Sequence, residues 1–419
     1  MDITRLLKKS STNSIAKSSI IVFAGTMTAN IASYAYHLLM GRMLGPSGYG
    51  ELSSLLSILY IFTVPLIVGQ TVMVKYISAI KATGSLGQAK SLFIKTSTLV
   101  AIAGIIILPG IYILSPVITS FLHLPSTGLF VEVYVLFVIT LLSVIASSML
   151  QGYQLFTWFS ILSALAVIAK VVLSVPFVRF GVPGVLWASV IAAALLYLVY
   201  YIPIQFLLKA KKSPTLINKK DAFGYALPTF LVILGITSLY STDVILVRHF
   251  FTAKEAGLYS ALAILGKIIF YASSAISLVM FPVISERTVK KQPTKQLILV
   301  SLTGVGVVSA LLCALYFIFP SLIVKLLFGN AYVSAHTLLG IFGVFLSLFS
   351  LGYIVANMCL AIGKTGIWIL AITCAVLQIV GISLFHSTIT SVLLVNIGVS
   401  ALLVVGGLIY YLRVSYEKI

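Results

Sequence analysis

The chain has 419 residues, of which 60% are hydrophobic and only 8% charged, with a mean hydropathy of +1.17. So few polar side chains cannot cover a water-soluble globule, which leaves lipid as the solvent. The formal net charge of +19 does not signal nucleic acid, because most cations fall in short joints between apolar runs, where anionic headgroups are the nearest partner.

A membrane-crossing helix needs about 20 predominantly apolar residues, so a chain of this length with short joints has room for about twelve. Hydropathy and turn residues predict them near 19–41, 51–74, 94–115, 129–150, 156–178 and 184–207, then near 224–247, 256–281, 297–319, 334–358, 366–386 and 390–412. Runs such as Leu99 to Ile113 are apolar on every side and lack the alternation of a barrel strand. The basic start ahead of Ile20 to Leu39 mimics a signal peptide, but the apolar run has a spanning helix's length and reads as a retained first helix.

The joints divide by charge. One set carries Lys8, Lys9, Lys81, Lys90, the cluster from Lys209 to Lys220, Arg287 to Lys295, Lys364 and Arg413. The other set offers only Arg42, Arg179, Arg248, Lys254 and Lys325. Short cationic joints stay inside the cell, so the chain is expected to be a multi-pass protein of the plasma membrane with both termini cytoplasmic. The polar stretch 209–220 is the one obvious linker, giving an N-terminal six-helix bundle over 1–208 and a C-terminal one over 221–419.

The halves echo each other. Gly50-Glu51-Leu52-Ser53 returns 207 residues later as Gly257-Leu258-Tyr259-Ser260, and the same spacing carries Ile77-Ser78 onto Ile284-Ser285. An even number of spans per copy makes the two parallel, related by an axis along the membrane normal and enclosing a cleft. Cys313, Cys359 and Cys374 lie inside apolar runs without paired spacing, so neither a disulfide framework nor a metal site is indicated. Pro228 and Pro282, in or near the ends of spans, are candidate flexing points, static bends being the alternative.

The string from Gly41 through Gly45-Pro46-Ser47-Gly48-Tyr49-Gly50 to Ser53 resembles the opening signature of the polysaccharide transporter family, the O-antigen-type oligosaccharide flippases of the MATE-like MOP superfamily. The likeness extends over nearly the whole chain, through Pro228 and Asp243 and the turns at Gln151-Gly152 and Gly363-Lys364. It implies an all-α, MATE-like fold of two six-helix bundles alternating between inward-open and outward-open forms. It also implies a cargo of polyprenyl-diphosphate-linked oligosaccharide, flipped from the cytoplasmic to the outer leaflet for polysaccharide biosynthesis. Membrane lipids, a coupling sodium ion or proton, and glycan-assembly proteins are the partners expected with it.

A diphosphate cannot enter hydrocarbon unaided, and cations inside a cleft answer that. A lysine at the centre of a span costs about 2.5 to 3.5 kcal/mol, so it usually faces a cavity or a partner. Lys267, in the middle of the eighth span, is the sharpest candidate for diphosphate contact, snorkelling to an interface being the alternative. Lys170 in the fifth span is the second. Arg42 and Arg248 sit at matching depths of the first and seventh spans, as do His37 and Asp243. Asp243 either binds a coupling ion or proton or satisfies a neighbouring cation, and His37 is a titrating group or a packing residue. Asn30 and Gln70 are amides that bind sugars or join helices.

Gly363-Lys364-Thr365 mimics the tail of a nucleotide-binding loop, but residue 358 is Met where that loop needs Gly, so no nucleotide cofactor is expected. A membrane glycosyltransferase or polymerase would carry a large outer loop and clustered catalytic groups, and neither is visible. The reading is therefore a transporter rather than an enzyme. Its alternative is a MATE-like cation-coupled multidrug antiporter, which would favour carboxylates in its cavity. The excess of lysine over carboxylate inside spans favours an anionic cargo.

Overall fold

The computed structural model describes residues 12–211, 213, 219–290 and 292–416, a few side chains within these apart. Among them the regular structure is entirely helical: α1 (Thr12–Ala82), α2 (Leu86–Phe121), α3 (Gly128–Gly152), α4 (Phe156–Phe177), α5 (Gly181–Val199), α6 (Tyr201–Leu208) and α7 (Lys219–Leu239). There follow α8 (Thr242–Phe250), α9 (Ala253–Val289), α10 (Lys295–Ile318), α11 (Pro320–Phe328), α12 (Leu339–Ala361), α13 (Trp368–Leu384) and α14 (Ile389–Tyr416). By length and composition, nine helical runs among the described residues can cross a membrane, or ten with the bent pair of α7 and α8. The chain is a multi-pass membrane protein.

Two of the nine runs are far longer than one crossing needs: Ala24–Ala82 has 59 residues and Phe156–Leu208 has 53. Each is interrupted at a glycine in the left-handed region. Gly45 has φ 70° inside α1, and Gly181 has φ 71° at the first residue of α5. Only glycine takes that conformation without strain. Pro46 follows Gly45 and suits the first turn of the next helical segment, where its missing amide hydrogen loses nothing. Both breaks fall where a joint between spans is predicted. The seventh predicted span differs: it is broken at Tyr240 and Ser241 into α7 and α8, bent by 40°, because the chain leaves helical geometry at Ser241.

The contacts form two compact units whose boundaries cross the helices. The first unit holds the chain to Met40, with Pro65–Thr119 and Pro125–Lys219. The second holds Gly41–Val64, Ser120–Leu124 and the chain from Lys220 onward. The helical segment after Gly45 thus leaves one unit for the other at Pro65.

In the first unit, Ile77, Leu92, Phe93, Met149, Leu150, Leu162, Tyr200 and Ile204 form a buried core. Gly152 lets that core close, since a Cβ there would lie 2.5 Å from Ile77. In the second unit, Ile284, Ile298, Val305, Ile354 and Met358 form one cluster. Toward the other end of α9, the two glycines of the repeated motif meet. A Cβ on Gly50 would come within 2.8 Å of the Gly257 nitrogen, and one on Gly257 would overlap the Pro46 carbonyl oxygen at 1.7 Å. Helices cross this closely in lipid only where small residues let the backbones approach.

Candidate functional site

Lys267 lies on α9 of the second unit, 5% exposed. Its Nζ sits 5.0 Å from the Tyr240 ring centre and 5.6 Å from that of Tyr60. The negative faces of the rings stabilise the ammonium where water is scarce. No carboxylate pairs with it within 4.0 Å among the described residues, although Asp243 acts on it through its charge at longer range.

Asp243 itself is 1% exposed, in the first turn of α8, where the helix dipole favours a carboxylate. Tyr259 donates its hydroxyl to Asp243 Oδ2 at 2.7 Å, and Asn396 Nδ2 donates to the Tyr259 oxygen at 3.0 Å. Gln378 Nε2 donates to Asn396 Oδ1 at 2.9 Å and to the Leu239 carbonyl at 2.8 Å. The break between α7 and α8 explains the last bond: it strips Leu239 of its helical partner, and an amide from α13 supplies the missing donor. Asp243 Oδ1 and Gln378 Oε1 are buried oxygens that complete no hydrogen bond of good geometry among the described residues. The backbone amides of Asp243 and Val244 also act on the carboxylate.

The two arginines serve helix ends. Arg248, 3% exposed, donates through Nε to the Leu122 carbonyl and through Nη2 to the His123 carbonyl, both at 2.9 Å, with Glu51 Oε1 3.6 Å from Nη2. His249 adds a bond to the Phe121 carbonyl at 2.7 Å and stacks on the Phe121 ring at 4.0 Å. Arg42, an exposed residue, donates through Nε to the Leu327 carbonyl at 3.0 Å and through Nη2 to that of Leu326. Both guanidinium groups therefore satisfy carbonyls left open where α2 and α11 end.

In the first unit, Lys170 Nζ sits 3.7 Å from the ring centre of the buried Tyr36. His37 is buried beside it, edge-on to the same ring at 5.5 Å. Asn30 is exposed on α1, and the half-buried Gln70 reaches Ser147 Oγ at 3.5 Å. Pro228 is half-buried within α7, and the bend in that span lies farther along at Ser241. Pro282 is in α9, its side chain outside the described residues.

The structure therefore brings Lys267 and Asp243 into one neighbourhood and gives Lys170 and His37 a common partner in Tyr36. It leaves Arg42 and Arg248 on separate helix ends. Tyr259, Asn396 and Gln378 were not anticipated from the sequence. Tyr259 stands inside the repeated Gly-x-x-Ser motif, and the other two are lone amides in apolar runs, like Asn30 and Gln70.

The fold is similar to that of solved MOP-superfamily proteins. The chain is similar to a multidrug-resistance MATE family transporter solved in an inward-facing conformation, with a TM-score of 0.71 at 19% identity, covering 95% of this chain and 98% of that one. It is also similar to the lipid II flippase MurJ in an inward closed conformation, with a TM-score of 0.69 at 14% identity, covering 94% and 87%. A third is a MOP superfamily transporter from Pyrococcus furiosus described by a reversed polarity of its binding pocket, with a TM-score of 0.61 at 19% identity, covering 99% and 98%. No curated protein sequence matches the chain. Residues 15–288 match the family model of the polysaccharide biosynthesis protein, and the chain belongs to that family.

Proposed function

We propose that this protein is a flippase that carries polyprenyl-diphosphate-linked oligosaccharide from the cytoplasmic to the outer leaflet of the plasma membrane. The observation that carries the reading is the pair of lysines within apolar runs, Lys267 and Lys170, each held against tyrosine rings and, among the described residues, with no carboxylate within 4.0 Å. A lysine at such a position favours an anionic cargo, and a diphosphate supplies several charge-assisted acceptors. Membership of a polysaccharide biosynthesis family supports a glycan as the rest of the cargo.

In this reading the 59- and 53-residue runs each cross twice. With the bent pair, that brings the crossings to twelve, grouped as two six-helix bundles with both termini in the cytoplasm. The Asp243 network is the coupling group: the open Oδ1 takes a proton or a sodium ion, and occupancy changes how strongly the carboxylate's charge acts on Lys267. Glycan-assembly proteins would supply the cargo on one side and consume it on the other.

The test is a leaflet assay in proteoliposomes with fluorescent lipid-linked oligosaccharide. Flipping by the wild type that falls in Lys267→Ala is the expected result. The buried carboxylate also gives a specific reason to test a cation-coupled multidrug antiporter. Proton- or sodium-driven efflux of an organic cation without lipid movement would replace the flippase reading with that one.

A further inference from the structure

Helix α9 changes character along its length. From Ala256 to Lys267 nearly every side chain is buried, and beyond it Tyr271, Ala272 and Ala275 come to the surface, with Tyr271 52% exposed. That exposed strip is made of small residues around one polar aromatic. Helix α10, by contrast, exposes Leu299, Val300, Val307 and Leu311, which is the composition of a surface against acyl chains. The strip on α9 therefore lacks the bulk of a lipid-facing surface, and it lies one helical turn from Lys267, since residues 267 and 271 share a face.

Tyr271 is backed by rings. Its centroid lies 5.4 Å from that of Phe270, and Phe270 in turn contacts Tyr353 at 5.0 Å and Tyr240 at 5.8 Å. Tyr240 is one of the two rings under the Lys267 ammonium. Asn357, half-buried one turn from Tyr353 on α12, adds an amide whose Nδ2 donates to the Tyr353 carbonyl at 2.9 Å. An ammonium, a supported aromatic face, a phenol and an amide thus lie next to one another in the second unit. Sugar rings present C–H bonds to an aromatic face and hydroxyls to polar groups at its edge, so this set fits a saccharide attached to a phosphate.

We propose that Tyr271, supported by Phe270 and flanked by Tyr353 and Asn357, is the platform on which the sugar ring nearest the diphosphate stacks while Lys267 holds the diphosphate. The inference rests on the flippase reading and deepens it: the lysine reads the charge common to all such lipids, and the aromatic platform reads the glycan. Tyr271 is then a specificity-determining residue.

The experiment uses the full chain in lipid nanodiscs and two probes, the lipid-linked oligosaccharide extracted from the native membrane and bare polyprenyl diphosphate. Tyr271→Ala is expected to weaken the glycan-bearing lipid about tenfold and leave the bare diphosphate unchanged. Tyr271→Phe keeps the face and should restore most of the loss, which also excludes misfolding as the cause. Lys267→Ala should weaken both probes. Equal weakening of the two probes by Tyr271→Ala, or no weakening of either, overturns the platform while leaving the flippase reading intact. A wild type that binds neither probe overturns the flippase reading and the platform with it.

Discussion

Among the described residues, each unit holds a lysine of an apolar helix against a tyrosine ring, but the surroundings differ. In the first unit, Lys170 rests on Tyr36 with His37 alongside, and Ser174 and Ser189 lie by the Tyr36 hydroxyl. In the second, Lys267 lies between Tyr240 and Tyr60 and feels Asp243, which opens a relay through Tyr259 and Asn396 to Gln378. A lysine on a ring is a static cation. A lysine near a carboxylate that can take up a proton or an ion is a cation whose effective charge can change. On the proposed flippase reading, the contrast assigns a lysine against a tyrosine ring to each unit and a neighbouring carboxylate network to the second.

The sharpest way to break this comparison is to remove each lysine in turn. Lys267→Ala should weaken binding of bare polyprenyl diphosphate about a hundredfold, and Lys170→Ala about tenfold, as measured in nanodiscs. Equal losses would erase the distinction between the sites. The amides give the next largest difference. Gln378→Leu leaves the Leu239 carbonyl and Asn396 without their donor and should lower stability by about 2 kcal/mol, whereas Gln70→Leu loses only a long contact to Ser147 and should stay within about 0.5 kcal/mol. Thermal unfolding of the two variants measures this.

Asp243→Asn retains an acceptor for Tyr259 and should fold normally. It is expected to abolish the acceleration of flipping by an imposed proton or sodium gradient, leaving ungraded exchange within about threefold of wild type. Acceleration that survives in this variant would take coupling away from the second unit. The smallest effect concerns the ring beneath Lys170. Tyr36→Leu should cost about 1 kcal/mol of diphosphate binding and Tyr36→Phe almost none, because the face of the ring rather than its hydroxyl carries the contact.

Much of the fold was legible because lipid imposes a simple rule. Each crossing demands about 20 apolar residues, so the runs and the charged joints between them stand out in the chain. The breaks at Gly45 and Gly181 fall in predicted joints for the same reason, since a left-handed glycine is a local necessity. The break at Ser241 escaped notice because no Gly or Pro marks it, and the open carbonyl of Leu239 is repaired by Gln378, 139 residues away. The site was legible only where a charge interrupted an apolar run. Lys267, Lys170 and Asp243 announce themselves in this way, and Tyr240, Tyr60 and Tyr36 do not, since tyrosine is common in membrane helices and only distant packing selects which rings face an ammonium.

The repeat shows the same division most clearly. Its existence follows from the chain alone, because Gly50 and Gly257 recur in matching frames. That these two glycines touch each other, with Gly257 against the Pro46 carbonyl, is a fact of the folded protein. The sequence by itself determined a helical, multi-pass membrane protein with buried charge in each half, because solvation by lipid acts on every residue locally. Only the tertiary structure decided that Gly41–Val64 belongs with the C-terminal helices, that the arginines close helix ends, and that one lysine stands beside a carboxylate relay. Those outcomes depend on contacts between residues far apart in the chain, which no local rule specifies.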